Sequence, residues 1–194
     1  SNGIRMDRES GLVFSPTHFT WMDTNYPAGT PRQGYPIEIQ ALWFYALSFL
    51  SEAEPSEESW RSLSQQVQKS IHRYFPVRNE DAVALGGEYL ADCLHAGSFV
   101  PASAARKDDH IRPNQLFAIT LGAVADSTLR GSILSACEEL VIPGAIRSLA
   151  DREVRYHLPV HHQGHLLNEP AHPYKGQYAG EEDFYRKPAY HNGT

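Results

Sequence analysis

Apolar residues recur at helical spacing over Ile37–Leu50 (Ile39, Leu42, Trp43, Ala46, Leu47, Leu50), and Phe44, Tyr45 and Phe49 make the other side apolar too. A helix apolar nearly all round is normally buried, so this stretch predicts an inner helix. Pro36 suits its start, because the N–H that proline lacks falls among the donors a first turn leaves unpaired. Glu38 in that turn complements the helix dipole. Glu54-Pro55-Ser56 breaks the pattern, with Ser56 a candidate N-cap. Trp60, Leu63, Val67, Ile71 and Phe75 then form one stripe, opposite Arg61, Ser64, Gln68 and Lys69, which predicts an amphipathic outer helix over 57–75. Inner helix, short turn and outer helix make an αα-hairpin. The pattern returns as an apolar helix over 113–124 and a second one, capped by Asp126 or Ser127, reaching Leu140 with a stripe of Leu129, Ile133, Leu134, Cys137 and Leu140.

The remaining chain is connection. Residues 1–16 read as an extended entry with Leu12-Val13-Phe14 as a short strand, and 17–36 as a loop punctuated by Pro27, Gly29, Pro31, Gly34 and Pro36. Residues 76–112 are too long for an ordinary bundle loop and are expected to lie across one end of the helices and contribute to a site. From Ala150 to Thr194 there is no sustained periodicity, which predicts a long loop region with a short helix near Ser148–Glu153. The expected fold class is therefore all-α, built of αα-hairpins with long site-forming loops, in one domain over 1–194. Ser1-Asn2 match the scar of a cleaved tag.

Composition narrows the function classes. At 194 residues, 41% hydrophobic and 21% charged, the chain is an ordinary globular sequence. Its net charge of −6 and the lack of any basic run argue against nucleic-acid or anionic-membrane partners. No apolar run approaches the ~20 residues a membrane span needs. Cys93 and Cys137 have no metal spacing, and two isolated thiols fit a reduced, cytoplasmic protein.

Candidate chemistry gathers in Thr17–Leu47, where Trp21, Asp23, Arg32 and Glu38 fall close together. An aromatic, two acids and an arginine are what a sugar-binding acid/base site needs; a surface loop followed by a core helix would look the same. Trp21 offers an apolar wall that raises a carboxyl pKa, and Asp23 a proton donor; Asp23 could equally cap a turn. Arg32 and Arg112 carry planar, multiply donating groups for carboxylates or sugar hydroxyls. Asn114 and Gln115 donate and accept at once, as sugar hydroxyls require. His157, His161, His162 and His165 invite a zinc reading, but Pro159 and Gly164 interrupt any helix that would align them, so a solvated loop is expected there.

Five ordered motifs carry a resemblance: T-W-M-D-T at Thr20–Thr24, P-R-Q-G-Y-P-I-E-I-Q-A-L-W at Pro31–Trp43, G-E-Y-L-A-D at Gly87–Asp92, R-P-N-Q at Arg112–Gln115 and Y-H-N-G-T at Tyr190–Thr194. Together they resemble the amylo-α-1,6-glucosidase domain of glycogen-debranching enzymes, from about Gly11 to the last residue. The chain departs from the family pattern at Ile142–Leu149 and at Arg186-Lys187-Pro188. The resemblance implies an (α/α)6 toroid, here incomplete, that hydrolyses α-1,6-linked glucose at branch points of glycogen or limit dextrin with inversion. Asp23 is then the general acid, by its place in T-W-M-D. Trp21, Arg32, Glu38, Arg112, Asn114, Gln115 and His191 line the substrate site, and no metal or cofactor is expected. The resemblance further implies that the general base lies beyond Thr194, that this stretch alone has little activity, and that exposed helix faces favour a homodimer. Another toroid glycosidase (trehalase- or invertase-like) and a non-catalytic glycan-binding or assembly module are the alternatives.

Overall fold

A computed structural model describes residues 3–22, 31–78, 80–176 and 191–193. In chain order its regular elements are β1 (Arg5–Met6), β2 (Val13–Phe14), β3 (Gly34–Pro36), α1 (Ile37–Ala53), α2 (Glu58–Tyr74), β4 (Pro76–Val77), α3 (Glu80–Ala84), β5 (Tyr89–Leu90), β6 (Cys93–His95), β7 (Arg106–Lys107), α4 (Leu116–Thr120), α5 (Ser127–Glu138), β8 (Val141–Ile142), β9 (Ala145–Ile146), β10 (His161–His162) and β11 (His165–Leu166). Short 3₁₀ turns at Ala102–Ala104 and Pro113–Gln115 complete them.

The fold is mixed, which corrects the all-α toroid expected from the sequence. Besides the helices there are a three-stranded antiparallel sheet, β3-β6-β7, and two-stranded pairs β1-β2, β4-β5, β8-β9 and β10-β11. These strands are two or three residues long, shorter than any window in which a period of two can be recognised. Most lie in the stretches read as connection. The second αα-hairpin is also reduced, because the helix expected over 113–124 is one 3₁₀ turn and the five residues of α4. Helical geometry stops at Thr120, and Gly122 follows with φ +79°. No helix forms at 148–153.

The first hairpin is present as α1 and α2. α1 begins directly after β3, with Pro36 at its N-cap and the Ile37 N–H donated to the Asp92 carbonyl at 3.1 Å. α2 is capped by the Glu57 carboxylate, which accepts the Ser59 N–H, rather than by Ser56. Val67 and Ile71 of α2 and Phe75 after it are buried against α1, and the Ser48 and Ser64 hydroxyls meet across the pair at 3.0 Å. α1 is not enclosed as its all-round apolarity predicts: Leu42, Tyr45 and Phe49 are about half exposed. Its buried side instead uses a polar residue, Gln40, whose amide pairs with both the N–H and the carbonyl of Val13 in β2. The helix is thereby locked to a strand by side-chain bonds that mimic a ladder. α5 starts as read from the sequence, with the Asp126 carboxylate accepting the Leu129 N–H at 2.7 Å.

The core runs from the inner faces of α1 and α2 through Tyr35, Leu90 and Leu94 of the sheets to Ile133, Ala136 and Cys137 of α5. Phe14 meets Tyr35 edge to face at 5.9 Å. Cys93 and Cys137 are free and buried. Among the described residues no helix is long and apolar enough to cross a membrane. Part of the His-rich segment read as a solvated loop forms the hairpin β10-β11, turning at Gln163 (φ +48°) and Gly164 (φ +82°). Two successive left-handed residues match the twist a tight hairpin needs.

Gly34 fixes how the loop before α1 meets the sheet. It adopts φ +134° and pairs with His95 of β6, and a Cβ there would lie 2.1 Å from the Leu94 carbonyl oxygen. Neither the conformation nor the space admits a side chain, so Gly34→Ala must displace backbone. The expected cost is about 2 kcal/mol or more, read as a lower urea midpoint with an unchanged slope.

Tyr35 donates its hydroxyl to the Val100 carbonyl at 2.8 Å. Burial, then the nearby Asp7 carboxylate, push it up from 10.0 to about 12. Its stabilising contribution is complete below pH ~10, where the unfolded chain is also neutral, and is lost as pH rises from ~10 to ~12. A two-unit shift corresponds to on the order of 2–3 kcal/mol. An alkaline fall in stability over that range, reduced in Tyr35→Phe, is the expected measurement.

Candidate active site

The loop carrying Trp21 and Asp23 is closed at its neck. His18 donates its N–H to the Pro31 carbonyl at 3.2 Å, and the Thr17 hydroxyl donates to the Gln33 amide oxygen at 2.9 Å. Asp23 itself lies outside the described residues. Past the neck, Arg32 takes a left-handed conformation, φ +44°, which costs a non-glycine residue roughly 1–2 kcal/mol. The bend aims its guanidinium inward, at Glu38 and Asp92.

There the arginine finds a partner for every N–H. Nε donates to Asp92 Oδ2 at 2.8 Å. Nη1 donates to Glu38 Oε1 at 2.5 Å and Thr20 Oγ1 at 3.0 Å. Nη2 donates to Glu38 Oε2 at 2.6 Å and Asp92 Oδ1 at 3.2 Å. All three charged side chains are at most 3% exposed. Burial alone would lower the Arg32 pKa, but Asp92 and Glu38 together outweigh it and hold it well above its ordinary value. This is a permanently charged cation gripping two acids.

Asp92 is the hub. Its Oδ1 also accepts the Asn114 amide at 2.6 Å, and its Oδ2 lies 3.5 Å from Arg112 Nε. Two arginines therefore balance two carboxylates, Glu38 and Asp92, in a buried and nearly neutral set. Burial lowers the Arg112 pKa from its ordinary value, against the pull of Asp92. Arg112 donates onward to the Ser148 carbonyl at 3.1 Å, to the His191 carbonyl, and to the Asn192 amide oxygen at 2.9 Å.

Above this base sits Trp21. Its indole N–H donates to Asn114 Oδ1 at 3.0 Å, and its ring meets His191 edge to face at 5.4 Å. The contacts close on themselves: Trp21 to Asn114 to Asp92 to Arg112 to His191 and back to Trp21. His191 is 4% exposed and Trp21 is 52% exposed, so the indole is the part of the ring presented to solvent. Gln115 stands aside. Its amide accepts the Leu90 N–H at 3.0 Å and donates to the Arg112 carbonyl at 3.3 Å, which ties β5 to the Arg112 segment.

Of the residues expected at a site, the structure thus brings Trp21, Arg32, Glu38, Arg112, Asn114 and His191 into one network, with Gln115 bracing it. Sequence reading gave no role to Asp92, Thr20 or Asn192. Asp92 carried a usable signal: it closes the G-E-Y-L-A-D motif, and two arginines destined for a buried site need a second acid beside Glu38.

A second polar cluster lies behind β6. Asp108 accepts from His95 Nε2 at 2.8 Å and bonds His110 through Nδ1 and through its backbone N–H at 3.0 Å. Burial would raise the Asp108 carboxyl, but His110 and His95 hold it well below the usual range. Among the described residues, Asp108, Asp109 and His110 are the group whose donor atoms, within 4.8 Å of one another, have the types a cation takes. Here Asp108 is engaged by the two imidazoles, and Asp109 accepts the N–H groups of Arg155 and Tyr156 at 2.8 Å each.

No curated protein matches the chain. A family model described as amylo-alpha-1,6-glucosidase matches residues 1–194. Four of the five motifs supply the ring and the other supplies its base, and the chain belongs to the amylo-alpha-1,6-glucosidase family, a family of glycoside hydrolase type.

Proposed function

We propose that this domain hydrolyses α-1,6-linked glucose at branch points of glycogen or limit dextrin, with inversion. The observation that carries the reading is the exposed Trp21 indole, fixed at its N–H by Asn114 and at its ring by His191, two residues before Asp23. A rigid aromatic face suits a sugar ring, whose C–H groups pack on it while its hydroxyls reach polar neighbours.

In this reading Asp23, protonated, gives its proton to the glycosidic oxygen as the C–O bond breaks and the bonding pair leaves with that oxygen. A second carboxylate takes a proton from the water that attacks the opposite face of the anomeric carbon. Glu38 and Asp92 are poorly placed for that second task, since both are buried and held by Arg32. The water-activating group is a different acid. Arg32, Glu38 and Asp92 act beneath the site, fixing the base on which Trp21 and Asn114 stand.

The test compares a branched limit dextrin with a linear α-1,4-glucan as substrates of the intact natural protein, because residues 1–194 alone are expected to have little activity. Free glucose is expected from the branched substrate alone, appearing first as the β-anomer by NMR. If both glucans bind and neither is cleaved, the domain is a glycan-binding module and the hydrolase reading is overturned.

A further inference from the structure

A cavity of about 350 Å³ lies against the neck of the Trp21 loop. Thr17, Pro31 and Gln33 of the neck form one wall, His95 of β6 and Arg106 of β7 another, and Tyr156 a third. Trp21 is four positions on from Thr17, and four residues span at most ~14 Å. A short oligosaccharide seated on the indole therefore reaches the cavity.

The walls are held by bonds that leave polar groups of the lining unspent. Gln33 fastens the neck to the end of β6: its carbonyl accepts the Ala96 N–H at 3.1 Å, and its side-chain amide donates to the Ala96 carbonyl at 3.1 Å. His95 and Arg106 are direct partners in the β6–β7 register, so their side chains leave the sheet on one face. Tyr156 lies against both, stacked on His95 at 4.5 Å with 5° between planes, and with the Arg106 guanidinium 5.0 Å from its centroid. Asp108 fixes the His95 ring through Nε2 at 2.8 Å, and Asp109 accepts the Tyr156 N–H at 2.8 Å. Among the described residues the Tyr156 hydroxyl and the Arg106 guanidinium have no hydrogen-bond partner. Burial, then the Asp108 carboxylate, push the Tyr156 hydroxyl up from 10.0 to about 12 against the pull of Arg106. At neutral pH it keeps its proton, and so both donates and accepts. The Thr17 hydroxyl spends its proton on Gln33 and keeps its acceptor capacity.

We propose that this cavity is a subsite for the glucan chain that carries the branch. An aromatic ring, a guanidinium and two hydroxyls supply what a sugar requires: apolar surface for its C–H groups, and neighbours that donate to and accept from its hydroxyls. The walls are pre-formed, so little ordering is needed when a chain enters. The proposal rests on the reading of the Trp21 loop as the place of cleavage, and adds that the departing glucan is held outside that loop.

The test uses the intact natural protein and two substrates: branched limit dextrin, and α-glucosyl fluoride, whose single sugar occupies the place of cleavage alone. Tyr156→Phe keeps the ring on His95, and Arg106 is exposed, so Tyr156→Phe and Arg106→Gln keep the fold. In both, the ratio of kcat/KM on dextrin to that on the fluoride is expected to fall about three- to tenfold, mainly through KM. Arg130→Gln, which removes the same charge from the exposed face of α5, keeps the wild-type ratio. A second readout does not depend on cleavage. Labelling of Arg106 by an arginine-selective dicarbonyl, followed by mass spectrometry, is expected to slow about threefold or more under saturating dextrin, with Arg130 unaffected. An unchanged ratio in both variants, or Arg106 labelling undiminished by dextrin, overturns the subsite; if the wild type still releases glucose, the hydrolase reading stands. Slowed labelling without glucose release overturns the hydrolase reading and leaves a glucan-binding cavity. Slowing by inorganic phosphate and not by dextrin makes the cavity an anion site and overturns the proposal.

Discussion

Arg32→Met is expected to lower the midpoint of thermal unfolding by roughly 6–20 °C. Removing the guanidinium takes from Glu38 both N–H groups that hold its two oxygens and from Asp92 the closer of its two arginines. Both acids stay buried, and stranding buried charge by deleting one partner costs roughly 3–5 kcal/mol. For a chain of this size each kcal/mol moves the midpoint by about 2–4 °C. The companion substitution decides the cause. If an uncompensated carboxylate is responsible, Arg32→Met with Glu38→Leu recovers part of the loss, because an apolar pair of similar volume avoids desolvation. Arg32→Lys falls between, since an ammonium has no fork to grip two carboxylates at once. A midpoint within about 2 °C of wild type for Arg32→Met would show that the charged base is dispensable.

Asp23→Asn is expected to reduce glucose release from the branched substrate by about 10²–10⁴-fold while leaving stability and glucan affinity near wild type. The amide keeps the size of the side chain and removes the proton that the departing oxygen needs. The choice of leaving group separates this role from others. Fluoride leaves without being protonated, so hydrolysis of α-glucosyl fluoride is expected to survive in the variant. A residue that activates water is needed for both substrates, and equal loss on both would reassign Asp23 to that role.

Local pattern carried the helices whose packing is one-sided. The α2 stripe and the Asp126 cap of α5 could be read because amphipathicity and capping are encoded within a few residues. The short strands could not, since Tyr89–Leu90 or Arg106–Lys107 are too brief to show alternation and are strands only because a partner lies beside them. α1 misled in the opposite direction. Its apolar residues exceed what the described residues cover, and its buried anchor is the polar Gln40. The motifs identified the members of the ring around Trp21 but not their arrangement. Nothing local to Arg32 shows that it faces Glu38 and Asp92 together rather than a sugar.

The closed circuit also constrains the order in which the molecule can be made. The hydrogen bonds of the circuit and its base join residues far apart in the chain, 93 positions between Trp21 and Asn114, 60 between Arg32 and Asp92, and 79 between Arg112 and His191. Each bond closes a long loop, and such closures are made late because their entropy must be spent before they return any energy. Residues Trp21 to Arg112 can emerge from a ribosome and collapse around α1 and α2 while the circuit is still open. Only arrival of His191 completes it, so a nascent chain is expected to become compact before it becomes competent.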